Sequence, residues 1–166
     1  GRVVGFETRI RSSERLINKF KGKEKLFDNA HFDERTSMIL SKTEVPVGIL
    51  VDKNFQNANR VFVLLLDESD LFLLDYAKQL IENSNATVTI LDKAGHLKGS
   101  SVFNEQIDKI GKKYPKHVKL AVERKIEKAL LDEQDLMIIS VETWKLLLEK
   151  QSSWLNKTPS LLIMKP

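Results

Sequence analysis

The side chains that most often carry chemistry are thinly spread along this chain. Its three histidines, His31, His96 and His117, have no metal-ligand spacing with one another. Ser69, Ser100, Ser101 and Ser140 lie in no Gly-x-Ser-x-Gly turn, the pattern that exposes a nucleophilic hydroxyl between a strand and a helix. The absence of cysteine removes a thiol nucleophile, a zinc–thiolate site and any disulfide framework. No complete catalytic set emerges, so the expectation is a protein that is not an enzyme and holds no metal. His96, in a stretch that also carries Gly95 and Gly99, is the candidate pH sensor because imidazole titrates in the physiological range. A solvated loop histidine is the alternative reading.

Charge narrows the partners. The net charge is +4, and Arg9, Arg11, Arg15, Lys19, Lys21, Lys23 and Lys25 fall close together, opposed by Glu14 and Glu24. Such a run can attract nucleic acid or an anionic membrane surface, but Phe20 is its single aromatic residue, so it offers no succession of aromatics to stack bases. It is read as a solvated face, with no nucleic-acid partner. A length of 166 residues suits one compact domain, or a domain with an appended fragment. No apolar stretch reaches the ~20 residues that span a bilayer, so a soluble fragment is expected, and the N-terminus carries no secretory signal.

The elements that would position any site are legible as apolar runs. Val45-Pro46-Val47-Gly48-Ile49-Leu50-Val51-Asp52-Lys53 and Thr158-Pro159-Ser160-Leu161-Leu162-Ile163-Met164-Lys165 are each opened by a proline and closed by a lysine. Proline is tolerated at the start of a buried strand, where its missing N–H breaks no interior ladder bond. Both runs follow a Lys-Thr pair and a helical stretch, and an earlier apolar run precedes each helix: Arg2–Phe6 in one case, Asp135–Ser140 in the other. One structural element is used twice. Between them, Arg60–Asp67 reads as a central strand, and Leu71, Leu74, Ala77, Leu80 and Ile81 recur at helical spacing behind a cap at Ser69 or Asp70. Ala86–Asp92 is a second strand, and Val102, Phe103, Ile107 and Ile110 mark another helix. His117–Glu123 is a third strand, with a continuous helix over Leu120–Leu131 as the alternative. Trp144, Leu147, Leu148, Trp154 and Leu155 line the next helical face. The expected fold is α/β: a doubly wound, parallel five-stranded sheet over residues 60–166, a polar connector at 54–59, and in residues 1–53 the C-terminal part of a preceding similar unit.

The Val45–Lys53 run resembles the segment that joins two universal-stress-protein-like modules in the cytoplasmic tail of monovalent cation:proton antiporters. Arg60–Asp67 resembles the opening of the second module, and Asp135–Ser140 with Trp154–Pro166 its end. The resemblance implies a universal stress protein-like, Rossmann-like fold. It also implies a regulatory, non-catalytic domain at the cytoplasmic face of the plasma (inner) membrane, whose partner is the membrane transport domain of the same polypeptide. A free-standing stress-type protein binding an adenine nucleotide or another small ligand is the alternative.

Nucleotide-binding members of that family carry an aspartate where Asp67 stands, so the resemblance makes Asp67 the candidate ligand-crevice residue. A solvated carboxylate opening the next loop is the other reading. Their phosphates sit in a Gly-x2-Gly-x9-Gly-Ser/Thr loop between the fourth strand and the last, yet the interval Val141–Thr158 contains no glycine. Tight ATP binding is therefore not expected, and no cofactor is assigned. Another adenine-containing regulator would not need that loop. A phosphorylated receiver domain is also doubly wound, and Asp67, Glu68 and Asp70 could supply its acidic cluster, but Glu123 stands where its acceptor aspartate belongs. Trp144 and Trp154 are read as core or subunit-interface residues, since large amphipathic aromatics anchor both. Related modules often pair through their final strand, which adds Leu162 to the interface candidates and makes a homodimer the expected assembly.

Overall fold

A computed structural model describes residues 32, 34–93, 101–121, 126–150 and 152–166. His31, His96, the basic run and the Arg2–Phe6 run lie outside the described residues. The elements are α1 (Glu34–Lys42), β1 (Val47–Val51), β2 (Arg60–Leu65), α2 (Leu73–Ser84), β3 (Thr87–Asp92), α3 (Ser101–Lys113), β4 (Val118–Leu120), α4 (Lys128–Asp132), β5 (Leu136–Ser140), α5 (Val141–Glu149) and β6 (Ser160–Lys165). They build one sheet in the order β1-β6-β5-β2-β3-β4.

Strands β2 to β6 are mutually parallel, as parallel strands buried on both faces should be: Val61, Phe62, Val63, Leu64 and Leu65 are all fully buried. Alternation along each strand sorts the core into two layers. On one face, Val61, Val63, Ile138 and Leu162 meet Leu73, Leu74, Ala77 and Ile81 of α2 and Phe103 and Ile107 of α3. On the other, Phe62, Leu64, Met137 and Ile163 meet Leu40 of α1, Leu131 of α4, and Trp144 and Leu147 of α5. Helix α2 closes on Asn85, whose φ of 54° is a left-handed stop that asparagine tolerates better than most residues.

The five parallel strands expected over residues 60–166 are β2 to β6, and the sheet gains a sixth strand of opposite direction from the segment before them. Strand β1 joins it antiparallel to β6, with Val47 opposite Lys165, Ile49 opposite Ile163 and Val51 opposite Leu161. Five residues of apolar strand cannot bury themselves, and β6 offers a row of backbone groups that would otherwise be unpaired. Gly48 faces Met164 across this pair, and a Cβ there would come within 3.0 Å of the Met164 sulfur. The third parallel strand is only Val118–Leu120, short because it is an exposed edge carrying Lys119. The last helical face also ends early. Helix α5 stops at Glu149, and Trp154 and Leu155 fall in the turn before β6.

The two proline-to-lysine runs turn out to face one another. Lys165 Nζ, at the end of β6, donates to the carbonyls of Leu40 (2.7 Å) and Thr43 (2.6 Å) at the close of α1. Lys53 Nζ, just beyond β1, donates to the carbonyl (2.9 Å) and hydroxyl (2.8 Å) of Thr158. Each strand's terminal lysine thus caps the carbonyls that lead into its partner, an approximate two-fold about the centre of the β1–β6 pair.

Half-burial pulls the Lys53 ammonium below its ordinary pKa of 10.5 through loss of solvation. A base so depressed binds fewer protons folded than unfolded, so its penalty is full below the folded pKa and is relieved as pH climbs from there towards 10.5. Stability of the parent should therefore rise across that alkaline window, and Lys53→Met should flatten the rise. Urea midpoints measured against pH for both proteins check this.

Candidate functional site

In an open α/β sheet the ligand crevice opens at the carboxyl ends of the strands where the winding reverses. Here β2 and β5 are neighbours, and the chain leaves β2 for β3 on one side and β5 for β6 on the other. The crevice between their carboxyl ends is the position the fold itself marks for a ligand. Asp67, Asp70, Ser140 and Thr143 gather there.

Asp67 is exposed and caps the single 3-10 turn Glu68–Phe72, its Oδ1 accepting from the Ser69 amide at 2.7 Å and from the Ser69 hydroxyl. Asp70 is the buried carboxylate, 1% exposed. Its Oδ2 accepts from the amides of Leu66 (2.7 Å) and Asp67 (3.3 Å) and from the Thr143 hydroxyl (2.9 Å). Thr143 is held in turn by the α5 cap, in which Ser140 Oγ accepts the Thr143 amide at 3.0 Å. The Thr143–Asp70 bond spans the reversal point from α5 to the turn after β2. Three donors from the protein engage one carboxylate oxygen, Oδ2, and tie the two loops together.

Strand β5 passes into α5 without an intervening loop: Ser140 ends the strand and caps the helix that begins at Val141. Among the described residues no group of three His, Asp or Glu side chains is placed to hold a metal ion. His117 makes a local contact, its Nδ1 lying 3.0 Å from the Ala86 carbonyl.

The remaining sequence candidates do not meet at this crevice. Trp144 is 4% exposed and sits in the core layer between α5 and the sheet. Trp154 is half-buried in the turn before β6, with Lys93 Nζ 6.0 Å from its ring centroid, the outer reach of a cation–π contact. Leu162 is 5% exposed, in the opposite core layer and paired with Leu50 of β1. It also lines an open, mostly apolar cleft of about 330 Å³ with Leu50, Phe55, Leu80 and Leu136, rimmed by Asn57, Asn59 and Ser84. This cleft lies where the connector before β2 passes the end of α2.

Sequence reasoning singled out Asp67 for the crevice, gave Asp70 only as a helix cap or a member of an acidic cluster, and passed over Thr143, although Asp70 and Thr143 are the pair that crosses the reversal point. One local signal was present: Asp67-x-x-Asp70 has the spacing of a reciprocal cap, in which the second acid reaches back to the first residue's amide. No signal in the chain linked Thr143 to it across 73 positions. No family model, curated protein or solved structure matches the chain.

Proposed function

We propose that this chain is a regulatory, non-catalytic module of a monovalent cation:proton antiporter, carried at the cytoplasmic face of the membrane and acting on the transport domain of the same polypeptide. The observation that carries the reading is the β1–β6 pair. The Val45–Lys53 run, which resembles the junction between two stress-protein-like modules, lies antiparallel against the strand that closes the chain, with each run's lysine capping the other's entry. A strand that ends one α/β unit pairs here with the strand that ends the next. This is a geometry for transmitting a change in one unit to its neighbour.

The interval Val141–Thr158 has no glycine and Ser140 passes directly into α5, so no glycine-rich loop stands there to bring backbone amides close around phosphates, which supports a role without tight ATP binding. No described helix is long and apolar enough to cross a membrane, consistent with a module that leaves the ion path to another domain.

The experiment is exchange in vesicles. Full-length antiporter and a form truncated before residue 1 are inserted and compared for cation-driven proton movement. Truncation should shift the pH or ion dependence while exchange itself remains measurable. Unchanged rate, pH profile and ion dependence in correctly inserted truncated protein would overturn the regulatory role, and a native gene with no membrane domain would overturn the antiporter reading.

A further inference from the structure

The cleft beside Leu162 lies at the opposite end of the strands from the Asp70 crevice. Asn59 precedes β2, Leu136 opens β5 and Ser84 closes α2, so its walls gather where the parallel strands begin. Leu50, Phe55 and Leu80 pack against the core yet stay only part-buried, and each turns apolar surface to this space. The walls are fixed by bonds of their own. The connector that supplies Phe55, Asn57 and Asn59 is pinned along its length: the Lys53 amide donates to Ser160 Oγ (2.9 Å), the Phe55 amide to Asp52 Oδ1 (2.7 Å) and the Arg60 amide to Asp135 Oδ2 (2.8 Å), while the Asn59 carbonyl accepts from the Thr87 amide (2.7 Å). A cleft built in this way is preorganised, and a ligand entering it has little protein left to order.

We propose that this cleft binds a neutral, mostly apolar small molecule of about two rings with a hydrogen-bonding group at one end. The proposal is independent of the antiporter reading. Its size follows from the volume, about 330 Å³, which is roughly twice the ~150 Å³ of an apolar cavity that takes up benzene. Charge selects the class. None of the residues that line the cleft is ionisable, and Asn57, Asn59 and Ser84 give it a rim of amides and a hydroxyl that both donate and accept. The charged residues adjacent in the chain to that lining are Arg60 and Asp135, and they bond to each other at 3.1 Å. An ion entering the cleft would shed water with no counter-charge in the walls to meet it, which excludes nucleotides and other phosphates. A bound molecule touches Leu50 of β1, Leu162 of β6 and Leu80 of α2 at once, so it also ties β1 to the rest of the sheet.

The probe is 2-naphthol, two fused rings with one hydroxyl and no charge at neutral pH, titrated into the full chain by calorimetry and followed by leucine-methyl NMR. Binding should saturate at one molecule per chain. The methyls of Leu50, Leu80, Leu136 and Leu162 should shift, while those of Leu131 and Leu147 in the opposite core layer stay in place. The anionic analogue 2-naphthalenesulfonate, with the same rings, should bind at least about tenfold more weakly. Ser84→Trp puts a bulky side chain on the exposed rim and should weaken 2-naphthol binding by at least about tenfold as well. No saturable binding, which is the result if another part of this chain fills the cleft, overturns the proposal. So do saturation at one molecule per two chains, shifts centred on other leucines, sulfonate binding as tight as that of the naphthol, or a folded Ser84→Trp that binds like the parent. The leucine spectra need no variant, so the parent protein alone is enough to decide.

Discussion

Asp70→Ala should lower the unfolding free energy by about 3–5 kcal/mol, read as a fall in the urea midpoint. The buried carboxylate accepts from the Leu66 and Asp67 amides and from the Thr143 hydroxyl, and alanine would strand all three donors where water has little access. Thr143→Val removes a single donor and keeps the shape of the side chain, so its cost should be about 1–2 kcal/mol. The two changes share one bond, and the double variant should cost less than their sum. Asp67→Ala serves as the contrast. That carboxylate is exposed and caps a single turn, so about 1 kcal/mol is expected. Equal losses at Asp67 and Asp70 would contradict the clamp.

That contrast shows where the sequence stops being readable. Arg60–Asp67 announces a central strand because six successive residues between charged ends can be buried on both faces. The acids behind it are equivalent as letters. Which of them is buried depends on Thr143, which reaches Asp70 through tertiary structure alone. The resemblance drew attention to Asp67 because an aspartate at a strand end is a local feature, while the carboxylate placed between two loops is a non-local one.

Strand existence and order along the chain were likewise local. β-branched and apolar runs, punctuated by Pro46, Asn85 and Pro159, fix where strands begin and helices end. Strand direction relative to a neighbour is a property of the whole sheet, so the antiparallel β1–β6 pair could not be read from either run alone. The matched prolines and lysines did register that the runs were related, and the structure supplies the reason: Lys53 and Lys165 perform the same capping on opposite ends of one pair. Helix limits were lost where the apolar pattern outran the helix. Trp154 and Leu155 keep the right spacing to look like a continuation of α5, yet they are buried from a turn.

Trp144→Ala should cost about 3–5 kcal/mol, and the loss should be the same at every protein concentration. Core and interface were both open for this residue on sequence grounds, because a large aromatic on an amphipathic helix suits either. Within a single chain it is already 96% covered, packed in the layer formed by Phe62, Leu64, Met137 and Ile163. Truncation leaves a cavity inside the protomer, so stability falls without reference to assembly. Leu162→Ala should cost less, about 2 kcal/mol, because Leu162 borders the open cleft and the space it leaves can hydrate. Trp154 is the discriminating case: part of its surface is still available, so Trp154→Ala should change stability by about 1 kcal/mol in a monomer. If a second chain covers that surface, the parent midpoint will rise with concentration and Trp154→Ala will abolish the rise. Sedimentation and thermal unfolding over a hundredfold concentration range, run on all three variants, separate a residue that holds the protomer together from one that holds two protomers.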